Sequence, residues 1–271
     1  MKFSVENYFD KLRSIMLGVI LISFLPSLIH GIDQKVNLWE YTLNDKTYSL
    51  FPDLFEKYFY SMTIFMGALL VGLCFAIFFT FCTSILHHRL KRMIYGLISL
   101  FESLPDIFIV IVLQLTIVYI YQKTGLLIAN VTTLYDDKIY LLPILTLSVL
   151  PTIQLFKITF LLMNEEQDKP YITVAKSMGL SDHYILIRHV FKNVLFNLFL
   201  YFKTIFVFML SNLFIMEYVF NIHGIMMTML SFNSFMFFIS VMLIAIPFTF
   251  LFELAQSFIY QSTGKNEEGA A

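Results

Sequence analysis

The sequence predicts an all-α integral membrane protein with six transmembrane helices. Of its 271 residues, 58% are hydrophobic and only 14% are charged, and the mean hydropathy is +0.77. A typical soluble domain has about 25% charged residues. Six apolar runs recur along the chain at roughly the 20-residue length that a helix needs to cross a bilayer. Polar residues are concentrated between these runs, which is the pattern of a multi-pass membrane protein.

The predicted spans define the organisation of the chain. They are residues 14–29, 58–86, 93–121, 139–163, 196–220 and 234–260. Pro26 marks a kink or stop in the first span, and Pro105 interrupts the third. The aromatic residues of the polar connection 31–57 suit a membrane interface. We therefore divide the chain into a first helix with its extracellular connection, a transmembrane core and a polar tail, at residues 1–54, 55–260 and 261–271.

The distribution of Lys and Arg predicts the orientation, because cytoplasmic segments are enriched in these residues. Eleven fall on one side of the membrane and five on the other, while Lys157 and Lys203 lie inside spans, from which they can snorkel. The eleven are Lys2, Lys11, Arg13, Arg89, Lys91, Arg92, Lys169, Lys176, Arg188, Lys192 and Lys265, and the five are Lys35, Lys46, Lys57, Lys123 and Lys138. Both termini and the segment between the fourth and fifth spans are therefore predicted to be cytoplasmic.

That segment, residues 164–195, is a long polar interruption with the pattern of two helices joined by a tight turn. Pro170 suits a first helical turn, and Asp168 just before it is expected to cap the free N–H groups. Gly179 stands where a helix ends in a left-handed residue, and Ser181 is the expected N-cap of a second, amphipathic helix. Such an element outside the membrane indicates a docking function.

The segment also carries a family resemblance. Tyr171-x-x-x-Ala175-x-x-x-Gly179, followed by Ile185, Arg188-His189 and Asn193, resembles the EAA loop of binding-protein-dependent ABC importer permeases. It is most similar to the oligopeptide, dipeptide and nickel branch. The resemblance implies an ATPase-coupling loop formed by Tyr171, Ala175, Lys176, Gly179, Leu180, Ile185, Arg188 and His189.

Two weaker points of similarity lie elsewhere. Glu217-x-x-Phe220, followed by His223 and Gly224, resembles the E-x-x-F-x-x-P-G stretch of the same branch, with His in place of Pro. The segment Ser103-Leu104-Pro105-Asp106 resembles its S-x-P turn. The branch differs in having a much longer extracellular insertion where this chain has only residues 31–57.

The resemblance implies the type I ABC importer permease fold in a bacterial inner membrane. It further implies a second homologous permease, two cytoplasmic ATPases and an extracellular solute-binding protein as partners, besides membrane lipid. On this interpretation the chain binds no cofactor, and ATP and Mg belong to the ATPase subunits. The implied solute is an oligopeptide, a dipeptide, or nickel or another metal complex.

The residues themselves indicate neither catalysis nor a metal site. Gly264-Lys265 lacks the glycine spacing and the following Ser or Thr of a phosphate-binding loop. No His, Cys, Asp or Glu grouping has metal-ligand spacing. With a net charge of −1 and no basic tail, the chain gives no sign of nucleic-acid binding.

Polar residues inside the spans are candidates for the translocation path, since burying them is unfavourable unless they pair or line water. Glu102 and Asp106 are expected on one face of the third span, around Pro105, whose position in a helix would free a backbone carbonyl. Gln154 and Glu217 extend this set. For each residue, the competing interpretation is an interhelical hydrogen bond or a position at interface depth.

Two other function classes stay open at this point. An ATPase-independent secondary transporter or channel would use the membrane carboxylates directly. A non-transport assembly or sensor subunit would bind partners without moving solute.

Overall fold

The computed structural model describes residues 5–23, 40–43, 46–84, 86–125, 138–229 and 234–263. The described part is helical apart from one two-stranded hairpin. The elements are α1 (Val5–Ser23), β1 (Glu40–Leu43), β2 (Lys46–Ser49), α2 (Leu50–Ser84), α3 (His88–Glu102), α4 (Asp106–Thr124), α5 (Leu141–Gln167), α6 (Pro170–Ser177), α7 (Asp182–Ile185), a π-turn (Leu186–Val190), α8 (Phe191–Val219), α9 (Ile225–Met229) and α10 (Ser234–Thr263).

The predicted all-α membrane fold is confirmed. Five helices among the described residues are long and apolar enough to cross a membrane. Their apolar parts are Pro52–Ser84, Ile107–Thr124, Leu141–Gln167, Asn197–Val219 and Phe237–Ala255. In α1 the apolar stretch is only Arg13–Ile22, and the end of the predicted first span, with Pro26, lies outside the described residues.

The predicted third span is two helices instead of one interrupted helix. Helix α3 ends at Glu102, and α4 begins at Asp106 after a turn that contains Pro105. Pro105 has extended backbone angles and occupies the N-cap of α4. The expectation that Pro105 sits inside a helix and frees a carbonyl was wrong. The carbonyl that it would have freed, that of Phe101 four residues earlier, accepts a hydrogen bond from the Leu104 N–H at 3.2 Å.

The polar connection before the second span contains an antiparallel hairpin that sequence reasoning missed. Strands β1 and β2 pair with Glu40 opposite Ser49 and Leu43 opposite Lys46. Helix α2 then begins directly, eight residues before the predicted start at 58. An ion pair between Lys57 and Asp53 at 2.8 Å, one helical turn apart, supports this polar first part of the helix.

The chain forms two compact units. One comprises residues Met1–Met62 and His223–Ala271, within which α1 and α9 both pack against α10. There the buried hydroxyl of Ser61 accepts a hydrogen bond from the backbone N–H of Ile225 at 2.9 Å. The other unit, Thr63–Ile222, has α5 and α8 packed against each other.

Helix α2 approaches α5 closely through small residues. Ala68, Gly72 and Ala76 follow one another at four-residue spacing, and all are buried. A Cβ at Gly72 would lie 3.3 Å from the Ser148 carbonyl oxygen. Small residues at this spacing let membrane helices pack backbone to backbone.

Candidate functional site

The segment predicted to dock a partner folds as a short helix, a tight corner and a second helical segment. Pro170 occupies the first turn of α6, as predicted. The N-cap is Lys169, with extended backbone angles, and no side chain caps this helix end among the described residues. The prediction that Asp168 caps α6 was wrong. A proline keeps the residue before it extended, so Lys169 takes the cap position and Asp168 completes the last turn of α5.

The corner at Gly179 has the predicted left-handed conformation. Gly179 has φ +80°. Its N–H donates to the Lys176 carbonyl at 3.0 Å, and the Leu180 N–H donates to the Ala175 carbonyl at 3.3 Å. These two bonds form a Schellman motif, which satisfies the last carbonyls of α6. An ion pair of 3.0 Å between Lys176 and Asp182 spans the corner.

The second helical segment continues without a break into the membrane. Ser181 is its N-cap, as predicted, and accepts a hydrogen bond from the Tyr184 N–H at 3.4 Å. After α7 comes one π-turn, Leu186–Val190, and α8 follows directly. The predicted start of the fifth span at 196 agrees with the apolar stretch that begins at Asn197, and the second docking helix is continuous with that span. The backbone hydrogen-bond ladder is locally rearranged here and not interrupted.

One face of this helix pair is buried. Ile172 and Ala175 from α6 pack with Ile185 and with Val190 and Val194, which lie at the start of the fifth span. Met163 near the end of α5 completes this cluster. The predicted coupling residues Ala175 and Ile185 therefore hold the corner against the membrane helices.

The opposite face exposes large apolar side chains. Val174 is 57% exposed, Met178 74% and Ile187 61%. The predicted residue Leu180 is also exposed. These residues lie in a segment between two spans, and exposed apolar side chains there are candidates for contact with another macromolecule.

A buried carboxylate that sequence reasoning missed ties the base of α6 to both neighbouring spans. Glu166, at the end of α5, has a side chain only 3% exposed. It accepts hydrogen bonds from Lys169 Nζ at 2.5 Å, Tyr171 Oη at 2.8 Å and Asn193 Nδ2 at 2.8 Å. Asn193 Nδ2 also lies 3.3 Å from Tyr171 Oη. We call Glu166, Lys169, Tyr171 and Asn193 the Glu166 cluster.

The electrostatics of the cluster keep the Tyr171 hydroxyl neutral. Burial and the hydrogen bond to Glu166 raise the pKa of Tyr171 to about 12. A phenol donating to a buried carboxylate is hard to ionise, because its anion would face a second negative charge. Tyr171 and Asn193 both belong to the motif that carries the family resemblance. Their place in that motif was the signal in the sequence that the two side chains share a hydrogen-bond partner.

The remaining predicted coupling residues form a shallow basic depression. Arg188 and His189 line it together with Lys192 and Asn193, and its volume is about 670 Å³. The His189 ring contacts the Tyr184 ring edge to face, with the centroids 5.9 Å apart.

The structure separates the residues predicted to line a translocation path. Glu102 ends α3, whereas Asp106 begins α4, so the expectation that they share one helix face was wrong: the turn at Pro105 lies between them. Glu102 forms an ion pair with Lys157 of α5, which the sequence had suggested as a snorkelling residue. Lys157 Nζ also lies 5.9 Å from the centroid of the Tyr95 ring.

The other two candidates lie in different settings. Gln154 is half-buried on α5. Glu217 is fully buried in the last turn of α8. Two residues beyond it, the Val219 carbonyl accepts a hydrogen bond of 3.4 Å from Gln114 of α4. Helices α4 and α8 therefore meet near Glu217.

Comparison with models of protein families identifies the family of this chain. A family model described as "binding-protein-dependent transport system inner membrane component" matches residues 72–265, well over half of the chain. The matched region contains the corner at Gly179, the Glu166 cluster and the Glu102–Lys157 pair. No curated protein sequence matches the chain.

Proposed function

The chain belongs to the family of binding-protein-dependent transport system inner membrane components, and from this premise we propose that α6 is the helix through which a cytoplasmic ATPase drives transport. The family implies an ABC importer, of which this chain is a permease subunit in the inner membrane, with ATPase and binding-protein partners. In our proposal the chain forms half of the solute path with a second, homologous permease. Two ATPases, which bind the ATP and Mg, each hold one such corner.

The observation that carries the proposal is the two-sided character of the corner. Ile172 and Ala175 attach α6 to the spans, while Val174 of the same helix and Met178 at its C-cap remain exposed. An element with one face fixed to the membrane part and one apolar face free has the form of a connector. A groove on an ATPase surface would cover the free face and bury its apolar area.

The Glu166 cluster supports transmission of movement from α6 to the spans. Its hydrogen bonds join the start of α6 to the end of α5 and, through Asn193, to the start of α8. A displacement of α6 by an ATPase would therefore act on both spans. Alternating access follows if this movement opens and closes the path between the two permeases.

We further propose that the corner and both termini are cytoplasmic. Support comes from the eleven Lys and Arg residues predicted on that side against five on the other. This orientation brings α6 to the side of the membrane where ATP is available.

For the solute, we propose an oligopeptide, a dipeptide, or nickel or another metal complex. Support comes from the similarity of the Tyr171–Gly179 motif and the Glu217–Gly224 stretch to the corresponding segments of that permease branch. Uptake of labelled dipeptide and of nickel into cells with and without the gene tests this assignment. Unchanged uptake of both would overturn it and leave the importer assignment intact.

The experiment that tests the coupling proposal is purification of the tagged chain in mild detergent from its native membrane, followed by mass spectrometry. We expect a second multi-span protein and a P-loop ATPase to co-purify. Met178→Glu places a charge on the exposed apolar face and should abolish ATPase recovery without reducing the amount of inserted chain. Met178→Leu, which keeps the apolar surface, is the matched control and should retain the ATPase.

Three results would contradict the coupling proposal. If the ATPase co-purifies equally with Met178→Glu, another surface binds it. If the wild-type chain is recovered alone and its transport follows an ion gradient, it is a secondary transporter or channel. Partners recovered without any solute flux on reconstitution would indicate an assembly or sensor subunit.

A further inference from the structure

A second cavity lies between α3 and α5, away from the exposed face of the corner. Its volume is about 490 Å³. Lys91 and Arg92 line it from α3, and the amide side chains of Asn164 and Gln167 line it from α5. One wall is therefore cationic, and the other carries amide hydrogen-bond donors beside the carboxylate of Asp168. We call this space the α3–α5 cavity.

The two helices run antiparallel beside the cavity, so its two ends differ in polarity. Tyr95 of α3 stacks on Phe160 of α5, with the ring centroids 5.9 Å apart and the ring planes at 28°. Further along the same pair of helices, Glu102 pairs with Lys157. The aromatic pair therefore lines the end of the cavity nearer Glu102 and Lys157, while Lys91 and Arg92 lie at the end nearer the turn into α6.

The face of α3 that points away from the cavity is apolar. Leu90, Met93 and Leu97 are 47%, 63% and 56% exposed, and their spacing places them on one stripe of the helix. Helix α3 therefore turns basic residues toward α5 at its start and an apolar face outward, where lipid acyl chains can cover it.

We propose that the α3–α5 cavity binds the headgroup of an anionic phospholipid. The phosphate lies between the Lys91 ammonium and the Arg92 guanidinium, with the Asn164 and Gln167 amides as further donors. An acyl chain leaves along Phe160 and the half-exposed Leu161. Basic pockets between membrane helices on the cytoplasmic side have this chemistry for anionic lipids.

The charge of the cavity favours a singly charged headgroup. Two cations face one carboxylate, that of Asp168, which also lines the cavity. The net charge of the lining is therefore +1, and a phosphodiester carries −1. The proposal goes beyond solute transport, and its failure would leave the coupling role of α6 untouched.

The test is native mass spectrometry of the full chain in mild detergent, titrated separately with phosphatidylglycerol, phosphatidylcholine and inorganic phosphate. We expect one phosphatidylglycerol to bind in preference to phosphatidylcholine, and inorganic phosphate not to displace it. Lys91→Gln with Arg92→Gln should weaken phosphatidylglycerol binding about 30-fold, or about fivefold for each cation removed. Lys123→Gln with Lys203→Gln removes the same charge from exposed positions elsewhere and should leave binding unchanged.

A variant that is expected to bind the lipid more tightly separates the proposal from misfolding, because a misfolded protein would only lose binding. Asp168→Asn removes the one carboxylate and should strengthen phosphatidylglycerol binding about fivefold. Equal losses in the two double variants would overturn the proposal, because binding would then depend on overall charge. Displacement by inorganic phosphate at comparable concentration would also overturn it, and would assign the cavity to a soluble anion.

Discussion

Glu166 is the residue on which the attachment of α6 depends most. Its nearly buried carboxylate accepts hydrogen bonds from Lys169 at the N-cap of α6, from Tyr171 within α6 and from Asn193 of α8. Replacing it with Leu leaves Tyr171 and Asn193 without their acceptor, which costs about 1–3 kcal/mol for each group that water does not reach. Water does reach Asn193, so we expect Glu166→Leu to lower the free energy of local unfolding of α6 by about 2 kcal/mol. Hydrogen exchange over Pro170–Ser177 should then be about 30-fold faster.

Two variants serve as comparisons for this prediction. Glu166→Gln keeps an acceptor oxygen for Tyr171 and loses mainly the ion pair to the half-exposed Lys169, which contributes about 1 kcal/mol or less. Glu165→Gln, at the exposed neighbouring position, should leave exchange unchanged. If Glu165→Gln and Glu166→Leu accelerate exchange equally, the cluster does not hold α6.

The Tyr171 hydroxyl gives the cluster a defined pH dependence. Its pKa of about 12 lies above the ordinary value of about 10. A raised pKa in the folded state means that the stabilisation is complete below pH 10 and is lost as the pH rises through about 12. The difference in unfolding free energy between wild type and Tyr171→Phe should therefore be constant from pH 6 to 9 and decrease from pH 10 to 12.

Denaturation followed by circular dichroism at stepped pH values measures this difference. A difference that already decreased between pH 7 and 9 would show that the hydroxyl is not held by Glu166 in the way the distances indicate.

At the same scale, single residues show what a sequence can predict. Gly179 was predictable because a positive φ after a helix is a local backbone property that glycine signals by itself. Ser181 was predictable for the same reason. Glu166 was not, because its partner Asn193 is 27 residues away in sequence and only the packing of α5 against α8 brings the two together.

At the scale of elements, the π-turn between α7 and α8 is a one-residue excess in an otherwise continuous helix. Removing one residue there should restore ordinary helical hydrogen bonding and leave the flanking segments in register. We expect deletion of the exposed Ile187 to leave membrane insertion and thermal stability close to wild type. Deletion of the exposed Tyr201, within the α-helical part of α8, rotates everything beyond it by about 100° and should be destabilising.

Thermal unfolding of the two deletion variants in the same detergent checks this prediction. Equal destabilisation would mean that the π-turn is fixed by its side-chain contacts and is not a tolerated insertion.

The ends of elements were harder to predict than their existence. The apolar runs located α2, α5, α8 and α10, because burial in lipid requires long apolar helices. The start of α2 at Leu50 and the unbroken passage into α8 depend on polar residues that suit a helix and a loop equally well. The helix break at Pro105 is fixed by backbone sterics, and proline alone did not distinguish a kink from an end.

At the scale of the whole molecule, composition was sufficient to predict the fold class, and the family match confirms it. The number of spans was less accessible, since the described apolar stretch of α1 is shorter than a bilayer requires. The path residues were the least predictable part. In the arrangement that we propose, two permeases share the path, and the sequence of one chain does not bring their surfaces together.

Helix α4 is the strongest candidate for that shared surface. Only 11% of its apolar stretch Ile107–Thr124 is buried within this chain, against 50% for α5. It follows the turn at Pro105, and it carries exposed Thr116, whose hydroxyl donates to the Val112 carbonyl at 2.7 Å. We expect the face that contains Thr116 to be accessible to water along the path in the assembled transporter.

Cysteine labelling tests this expectation. Cys74 and Cys82 are both free and exposed, so each is first replaced by Ala. In that background, Thr116→Cys should react with a water-soluble thiol reagent, and added solute with its binding protein should change the rate. Leu200→Cys on α8, 61% exposed and apolar, is the lipid-facing control and should not react. If neither cysteine reacts while a lipid-soluble reagent labels both, α4 faces lipid and the path lies along another helix.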